Sequence, residues 1–260
     1  MAAAALALAA CNTSYEKSPS GLVYKIFGGS DTQQLKPQGF AKLNIEFTLP
    51  EKKDSVLSTT YGTFPFYTRI DTGKRTEYSF MEVLSKCKAG DSAVIIISMD
   101  TLVNRKLIAP NAPFLVKNGT IKCTMKILGA FATDSLAQAD FAKEEVKEKE
   151  REQKSAEDFA AKKGWKTQKT PSGLLIVIDN PGDGAKADTG KLAMVKYRGY
   201  LQKDESVIFD TNMDSTKGPT DPYGVPVGRG KVIPAWDEAL PYFAKGGKGK
   251  LVVPAYLAYG

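Results

Sequence analysis

Hydrophobic and polar positions alternate in short runs along much of the chain. Towards the carboxy end, runs rich in β-branched and aromatic residues and flanked by turn residues predict short strands; they are GLLIVI (173–178), LAMVKYRGYL (192–201), SVIFDT (206–211) and KGKLVVP (248–254). The segment PAWDEALPYFAKGG predicts one short helix, because Pro234 stands early, Asp237 and Glu238 are acidic residues of its first turn, and Gly246 lies past its end. Strands with one segregated helix predict an α+β domain, an antiparallel sheet with a helix on one face.

The same Pro-Ser-Gly-Leu segment precedes an apolar run twice. SPSGL occupies 18–22 and TPSGL occupies 170–174, which places the two prolines 152 residues apart. Later segments keep offsets of 151 to 156 residues; the pairs are 41–49 with 193–201, 54–60 with 205–211, and 79–98 with 235–254. An offset that large indicates a duplicated domain, and a length of 260 residues agrees with two domains. We assign these domains to residues 18–133 and 166–260.

The segment between the two domains, residues 134–165, has a different character. It lacks proline, its one glycine is Gly164, and glutamate alternates with lysine or arginine at i,i+4 spacing. These features predict an exposed, charged helix that ends near Gly164. Its apolar stripe is sparse, and a dimerising coiled coil would need a sustained heptad repeat. We therefore expect a solvated helical linker.

The amino terminus has the composition of a targeting segment. MAAAALALAAC is a short apolar run that ends Leu8-Ala9-Ala10-Cys11, and it looks like a bacterial lipobox in which Cys11 carries the lipid. No lysine or arginine precedes the run, and an alanine-rich signal with an incidental cysteine is the alternative. Residues 1–11 are therefore expected to be a lipoprotein signal peptide. This predicts a location in the cell envelope, lipid-anchored to a bacterial membrane on its periplasmic or outer side.

Charge and residue usage narrow the chemistry. The net charge of +7 is spread over many lysines without an arginine-rich stripe, so nucleic acid is not an expected partner. The chain has no histidine, which excludes Ser-His-Asp and Cys-His catalysis and every histidine-ligated metal site. No cofactor and no metal are expected. Cys87 and Cys123 could form a disulfide or remain two buried thiols, and the sequence leaves both open.

Four segments of the second domain carry a family resemblance. They are VKYRGYL, VIFDT, VGRGKVIPAWDEAL and VVPAYLAYG, in this order within residues 195–260. Together they resemble the FKBP-type peptidyl-prolyl cis-trans isomerases, in the arrangement of macrophage infectivity potentiator proteins, where a charged helix and a TPSGL segment precede the domain. The resemblance implies two FKBP-like domains, each a twisted antiparallel sheet wrapped on one short helix. It also implies isomerase activity on exported, proline-containing polypeptides, and macrolide immunophilin ligands as further partners.

The resemblance also implies a set of pocket residues. The residues that match its catalytic positions are Tyr197, Phe209, Asp210, Trp236 and Tyr259. Those that match its substrate-binding positions are Tyr223, Val232 and Ile233, of which Ile233 offers a backbone N–H. A single aromatic residue of this kind is more often part of a hydrophobic core, but the whole set in register favours a pocket. Such a site needs neither a nucleophile nor a titrating base, because an apolar pocket that strips water from the X-Pro amide favours the twisted state.

The first domain looks like the same fold without a working pocket. By the offsets above, Ile45 stands for Tyr197, Ser58 and Thr59 for Phe209 and Asp210, Glu77 for Ile233, and Phe80 for Trp236. We therefore expect activity in the second domain only, with a scaffold or client-holding role for the first. A non-catalytic binding module or holdase chaperone is the alternative for the whole protein.

The second domain also departs from the first at its end. The loop and closing strand expected within 111–131 have no counterpart before Gly260. Either the sequence is truncated there or the domain is incomplete as it stands.

Overall fold

The computed structural model describes residues 14–31, 33–71 and 78–259. The fold is α+β, as predicted, with antiparallel sheets and short helices. The chain divides into two compact units, residues 1–145 (the first unit) and 146–260 (the second unit). Cys11 and Glu77 lie outside the described residues. In the described ranges no helix is both long and apolar enough to cross a membrane.

The first unit is built on one sheet. Its strands are β1 (Glu16–Lys17), β2 (Val23–Phe27), β3 (Phe40–Leu49), β4 (Ser55–Thr59), β5 (Phe66–Arg69), β6 (Ser92–Ser98) and β7 (Thr120–Phe131), with helices α1 (Phe80–Leu84) and α2 (Met99–Asn104). The strand order is β1-β2-β6-β7-β3-β4, all antiparallel, and β5 also pairs with β3. β7 is the central strand, because it pairs with β6 on one side and with β3 on the other.

The core of the first unit lies between the sheet and α1. The inward residues of β3, β6 and β7 alternate with outward ones, as the period of a strand requires, and Val83 and Leu84 of α1 are fully buried against them. Cys87 and Cys123 belong to this core as free thiols. Burial raises the pKa of each thiol to about 12. Of the two alternatives that the sequence left open, the structure has the buried thiols.

The charged segment forms one long helix, α3 (Asp134–Lys162), but it is not simply solvated. Within the first unit, Lys42 binds Asp140 and Glu144 at 2.9 and 3.0 Å, and the Phe141 ring lies 5.3 Å from that of Tyr67. Within the second unit, Ala156 and Ala160 are buried against strand residues, and Phe159 packs on Trp165 at 5.7 Å. The sparse apolar stripe is therefore used at both ends of the helix. The expectation of a solvated linker is wrong there, because small and aromatic side chains at those positions pack against the neighbouring sheets.

The second unit repeats most elements of the first but not its single sheet. Its strands are β8 (Gln168–Lys169), β9 (Leu175–Asn180), β10 (Leu192–Val195), β11 (Arg198–Leu201), β12 (Asp204–Thr211), β13 (Tyr223–Pro226) and β14 (Lys248–Val252), with helix α4 (Pro234–Ala239). They form three separate antiparallel sheets, β14-β9-β8, β10-β13 and β11-β12. The run LAMVKYRGYL, predicted as one strand, is interrupted at residues 196–197. No described residue of this unit forms a strand in the place that β7 fills in the first.

The repeated Pro-Ser-Gly-Leu segment folds into the same turn in both units. Leu22 N–H donates to Ser18 Oγ, and Leu174 N–H donates to Thr170 Oγ1, both at 3.1 Å. The next serine of each turn, Ser20 or Ser172, donates its hydroxyl proton to a glutamate of the following helix, in α1 or α4. The glycine that closes each turn has a φ of +93° or +101°, a conformation that other residues rarely adopt. The repeat in sequence is therefore a repeat of one hydrogen-bonded turn.

These two serine–glutamate bonds also fix the correspondence between the units. Ser20 bonds Glu82, and Ser172 bonds Glu238. Burial of Glu82 favours its protonated form, but the hydrogen bonds from Ser20 and its neighbours outweigh this and hold the pKa of Glu82 below its usual value. The helix residue two positions earlier is Phe80 in α1 and Trp236 in α4. The structure thus pairs Phe80 with Trp236 independently of the sequence offset.

Replacing each serine by alanine should destabilise the unit that contains it. We expect Ser20→Ala to lower the free energy of unfolding by about 1–2 kcal/mol, since it removes a bond to a charged acceptor. Ser172→Ala should cost less, because that bond is exposed whereas the first is partly buried. Scanning calorimetry on the two single variants measures the difference. A larger loss for Ser172→Ala would contradict the burial argument.

Candidate functional site

Three aromatic rings of the second unit meet beside α4. Tyr197, in the gap between β10 and β11, has its ring centroid 4.9 Å from that of Trp236, with the planes at 79°. Tyr223, the first residue of β13, lies 6.4 Å from Trp236 and 6.5 Å from Tyr197. All three pairs are edge-to-face contacts, an arrangement that favours the ring quadrupoles. The structure therefore brings together three of the predicted pocket residues, and we call them the aromatic triad.

Helix α4 places Trp236 at the base of this group. Pro234 is compatible with the first turn of a helix, and the Trp236 N–H donates to the Ile233 carbonyl at 3.0 Å. Ala235 and Ala239 of the same helix are buried against the core of the second unit. The larger Trp236 side chain is only partly buried and contacts the Tyr197 ring.

One polar pair is added to the aromatic triad. The Tyr197 hydroxyl donates to Asp210 Oδ2 at 2.8 Å. Desolvation and this hydrogen bond to Asp210 together raise the pKa of Tyr197 to about 12. The hydroxyl therefore stays protonated across the physiological range and acts as a fixed donor. The pair can orient a polar group of a ligand but is not poised to transfer a proton at neutral pH.

Phe209 and Tyr259 form an aromatic pair in addition to the aromatic triad. Their ring centroids are 6.5 Å apart, and the residues are 53% and 77% exposed. Beside them, Gly199 leaves room for the Phe209 ring, because a Cβ at this glycine would lie 2.8 Å from Phe209 Cζ. The site is consequently an exposed, largely apolar surface on which the Phe209 ring lies over the backbone of Gly199.

Val232 and Ile233 follow a glycine-rich turn that is tied to α4. The Asp237 carboxylate accepts the Gly228 N–H at 2.9 Å and the Gly230 N–H at 2.7 Å. Val232 and Ile233 are partly buried directly after this turn. Within the described part of the chain, the Ile233 N–H donates to no protein acceptor. This N–H is the one for which a ligand contact is predicted.

The equivalent surface of the first unit can be read from the strand register. The β3–β4 pairing Glu46↔Thr59 matches the β11–β12 pairing Arg198↔Thr211, and both ladders shift register one residue further along. Asp210 therefore corresponds to Ser58 and Phe209 to Leu57. The sequence offset, which matched Ser58 and Thr59 to Phe209 and Asp210, was therefore wrong by one residue. That offset was 151 residues for this segment, whereas the strand pairing of the two units corresponds to an offset of 152.

A phenylalanine occupies the position of Gly199 in the first unit. Phe47 lies in β3 at the corresponding register position, and its ring is 6.2 Å from that of Phe80, the counterpart of Trp236. Phe66, the counterpart of Tyr223 in the β3–β5 pairing, also lies 6.2 Å from Phe80. The first unit thus keeps an aromatic base, but its Phe47 side chain packs against the core, whereas at Gly199 the Phe209 ring lies over the backbone.

Three residues of the site were not singled out as functional from the sequence. Gly199 carried no signal, and neither did Asn212, whose Oδ1 accepts the Tyr197 N–H. Asp237 was interpreted only as an acidic residue in a helix first turn. Aligning the two internal repeats residue by residue would have revealed the contrast between Phe47 and Gly199. The hydrogen bonds of Asp237 and Asn212 depend on loops whose paths the sequence does not specify.

Comparison with known proteins matches the second unit to one family. The family model for the FKBP-type peptidyl-prolyl cis-trans isomerases matches residues 184–260. The chain is 35% identical over 88 residues to FK506-binding protein of Neisseria meningitidis serogroup B, covering 34% of this chain and 75% of that protein. It is 37% identical over 95 residues to FK506-binding protein 4 of Rhizopus delemar; this is 36% of the chain but only 23% of the longer relative.

A solved structure is also similar. FkpA from Escherichia coli matches with 19% identity and a TM-score of 0.36, covering 47% of this chain and 54% of that one. The family assignment rests on the sequence matches, above all on the Neisseria protein, three quarters of which is covered at 35% identity. The chain belongs to the FKBP-type peptidyl-prolyl cis-trans isomerase family.

Proposed function

We propose that the second unit catalyses the cis–trans isomerisation of X-Pro peptide bonds and that the first unit does not. The observation that carries the proposal is the aromatic triad beside the Tyr197–Asp210 hydrogen bond, open to solvent on one side. Apolar rings around one fixed polar pair suit a ligand with an apolar ring and adjacent amide groups. A prolyl peptide has this composition.

The chemistry follows from the amide bond. Rotation about the X-Pro bond must overcome a barrier of about 18–20 kcal/mol, because the planar amide has partial double-bond character. The twisted amide is less polar across its C–N bond than the planar one. A surface of Tyr197, Tyr223 and Trp236 that replaces water around the proline therefore favours the twisted state over the ground state. No bond is made or broken, and no proton is transferred.

The polar groups have a positioning part in this scheme. The Tyr197 hydroxyl keeps its proton to well above neutral pH, so the Tyr197–Asp210 pair offers the same hydrogen-bonding pattern throughout the physiological range. The free Ile233 N–H would bind a carbonyl oxygen of the peptide. Rotation about the prolyl bond then proceeds while the rest of the peptide is held.

The first unit lacks three elements of this scheme. Ser58 stands in place of Asp210, Ile45 in place of Tyr197, and the Phe47 ring packs against Phe80 where a proline ring would lie. The Thr60 side chain bonds the Ile45 backbone, as Asn212 does for Tyr197, so the scaffold is kept while the polar pair is lost. We infer that this unit supports the chain without turnover.

Matched variants in the two units test this assignment in the full chain. We expect Asp210→Ala to lower kcat/KM on an X-Pro tetrapeptide about tenfold, since it removes one hydrogen bond to a charged group. Ser58→Ala, at the equivalent position of the first unit, should leave it unchanged. Trp236→Leu should reduce activity more strongly than Asp210→Ala, and Phe80→Leu should not reduce it. Equal losses in the two members of either pair would place activity in both units and overturn the proposal.

A phenylalanine at residue 199 should close the site. We expect Gly199→Phe to abolish isomerase activity without unfolding the chain, because the added side chain must displace the exposed Phe209 ring that lies over Gly199. Arg198→Phe is the matched control, since adjacent side chains of a strand point to opposite faces and Arg198 is exposed. The measurement is turnover on the same peptide, with circular dichroism to establish folding. Full turnover by Gly199→Phe would show that the site does not use this surface.

We further propose that the protein works in a bacterial cell envelope on exported, proline-containing polypeptides. The support is the apolar run MAAAALALAA followed by Cys11, together with a relative in the bacterium Neisseria meningitidis. A lipid on Cys11 would hold the protein at a membrane, with unfolded exported chains as substrates. A macrolide immunophilin ligand would compete for the aromatic triad.

The anchor has a direct test. Cys11→Ser should abolish fatty-acid attachment and release the protein from the membrane fraction, because a serine hydroxyl cannot form the thioether. Metabolic labelling with a radioactive fatty acid measures attachment, and Cys87→Ser controls for labelling of other cysteines. Labelled lipid on the Cys11→Ser protein would rule out this anchor.

A further inference from the structure

Asn212 is a buried polar residue next to the aromatic triad. It follows β12 directly, and only 6% of its surface is exposed. A buried carboxamide is costly unless its donors and acceptor are hydrogen bonded. Asn212 satisfies this requirement with three side-chain bonds, and all three go to backbone atoms.

Two of these bonds hold the backbone on either side of Lys196. Lys196 and Tyr197 lie in the gap between β10 and β11 and have no strand partner. In the first unit the corresponding residues, Asn44 and Ile45, are paired with Lys126 and Met125 of β7. The Ile45 N–H and carbonyl nevertheless bond Thr60, the residue after β4, and in both units the residue after this strand is the source of the hydrogen bonds.

Asn212 makes most of the hydrogen bonds to the backbone around Tyr197. Its Oδ1 accepts the Tyr197 N–H at 2.8 Å, and its Nδ2 donates to the Val195 carbonyl at 2.9 Å. The Tyr197 carbonyl accepts the Asn212 N–H at 3.3 Å and the Thr211 hydroxyl at 2.8 Å. Both backbone groups of Tyr197 are thus fixed by the two residues that follow Asp210.

The third side-chain bond of Asn212 reaches the segment that precedes Tyr223. Asn212 Nδ2 also donates to the Asp221 carbonyl at 3.0 Å, and Asp221 stands two residues before Tyr223. One carboxamide therefore links the backbone of Tyr197 to the segment that delivers Tyr223. The two rings are 6.5 Å apart, and both contact Trp236.

The first unit holds the equivalent backbone with a simpler side chain. Thr60 Oγ1 accepts the Ile45 N–H at 2.9 Å, and the Thr60 N–H donates to the Ile45 carbonyl at 2.9 Å. Threonine provides the bond to the preceding strand but has no second donor to reach a further segment. The carboxamide is thus found in the unit that keeps the Tyr–Asp pair.

We propose that Asn212 is a positioning residue for the isomerase reaction, because its carboxamide fixes Tyr197 and Tyr223 at their separation around Trp236. The proposal rests on the proposed function of the second unit. Asn212 acts through the two tyrosines and does not itself touch the substrate. Its removal should therefore alter the surroundings of the indole as well as the rate.

Two variants of the full chain distinguish the contributions of the individual Asn212 hydrogen bonds. Asn212→Thr should keep the acceptor for the Tyr197 N–H, as Thr60 does for Ile45, but lose the donors to Val195 and Asp221. Asn212→Ala loses all three side-chain bonds. We expect Asn212→Ala to lower kcat/KM on an X-Pro peptide about tenfold and Asn212→Thr to lower it less. Thr60→Ala is the matched control in the first unit and should leave kcat/KM unchanged.

A spectroscopic readout distinguishes positioning from general destabilisation. The chain has two tryptophans, so a ¹H–¹⁵N spectrum contains two indole N–H resonances, and a Trp165→Phe variant assigns them. Relative to the unaltered chain, we expect the Trp236 resonance to shift most in Asn212→Ala and less in Asn212→Thr. The Trp165 resonance should stay in place in both variants. Thr60→Ala should move neither.

The proposal is overturned if folded Asn212→Ala keeps kcat/KM within about twofold or if its Trp236 resonance does not move. It is also overturned if Thr60→Ala reproduces both changes. Should the unaltered chain show no turnover, the proposed function fails, and the Trp236 resonance alone decides whether Asn212 positions the rings.

Discussion

Backbone N–H and C=O groups that leave solvent must find hydrogen-bond partners, and the two units meet this requirement differently. In the first unit β7 lies between β3 and β6 and satisfies both, so β3 runs unbroken from Phe40 to Leu49. In the described residues of the second unit no strand takes that place, and the matching run is divided at residues 196–197. The Tyr197 N–H and carbonyl are held by Asn212 and Thr211, as those of Ile45 are held by Thr60 in the first unit.

The two units also present different residues to solvent beside the shared helix position. Where the ladder is complete, Phe47 packs inward on Phe80 and the surface is closed by its own side chain. Where the strand is divided, Gly199 adds no side chain, and the Tyr197, Tyr223 and Trp236 rings remain accessible around one hydrogen-bonded pair. The same turn and the same helix position support both surfaces, as the serine–glutamate bonds show. Two copies of one scaffold thus differ in a few residues on one face, and the proposed difference in function rests on these residues.

Much of the fold could be predicted from the sequence, since it depends on local patterns. The repeated Pro-Ser-Gly-Leu turn needs its glycine at positive φ, and the strands carry β-branched residues, so both were recognisable. The break at residues 196–197 was not, because β propensity runs through it. The packing of α3 was also missed, since Ala156 and Ala160 give a weak apolar signal although both are buried.

The candidate site was predictable to a similar degree. The family resemblance pointed to Tyr197, Asp210 and Trp236 as a group, and the structure places them in contact, while their catalytic roles remain predictions. The one-residue error at Ser58 arose because an offset that varies between segments cannot fix a strand register. The roles of Gly199 and Asn212 could not be predicted, because they depend on tertiary contacts between segments that are distant in sequence.

The central claim is that one accessible aromatic site, in the second unit, binds and turns over prolyl peptides. Exchange NMR on an X-Pro peptide with a catalytic amount of the full chain tests it most directly, since it measures cis–trans interconversion without a coupling enzyme. We expect cross-peaks between the cis and trans resonances on a timescale of seconds or less, against tens of seconds for the uncatalysed bond. With excess peptide, the Trp236 indole resonance should shift and that of Trp165 should not. Absence of exchange, or exchange that leaves Trp236 unaffected, would contradict the account.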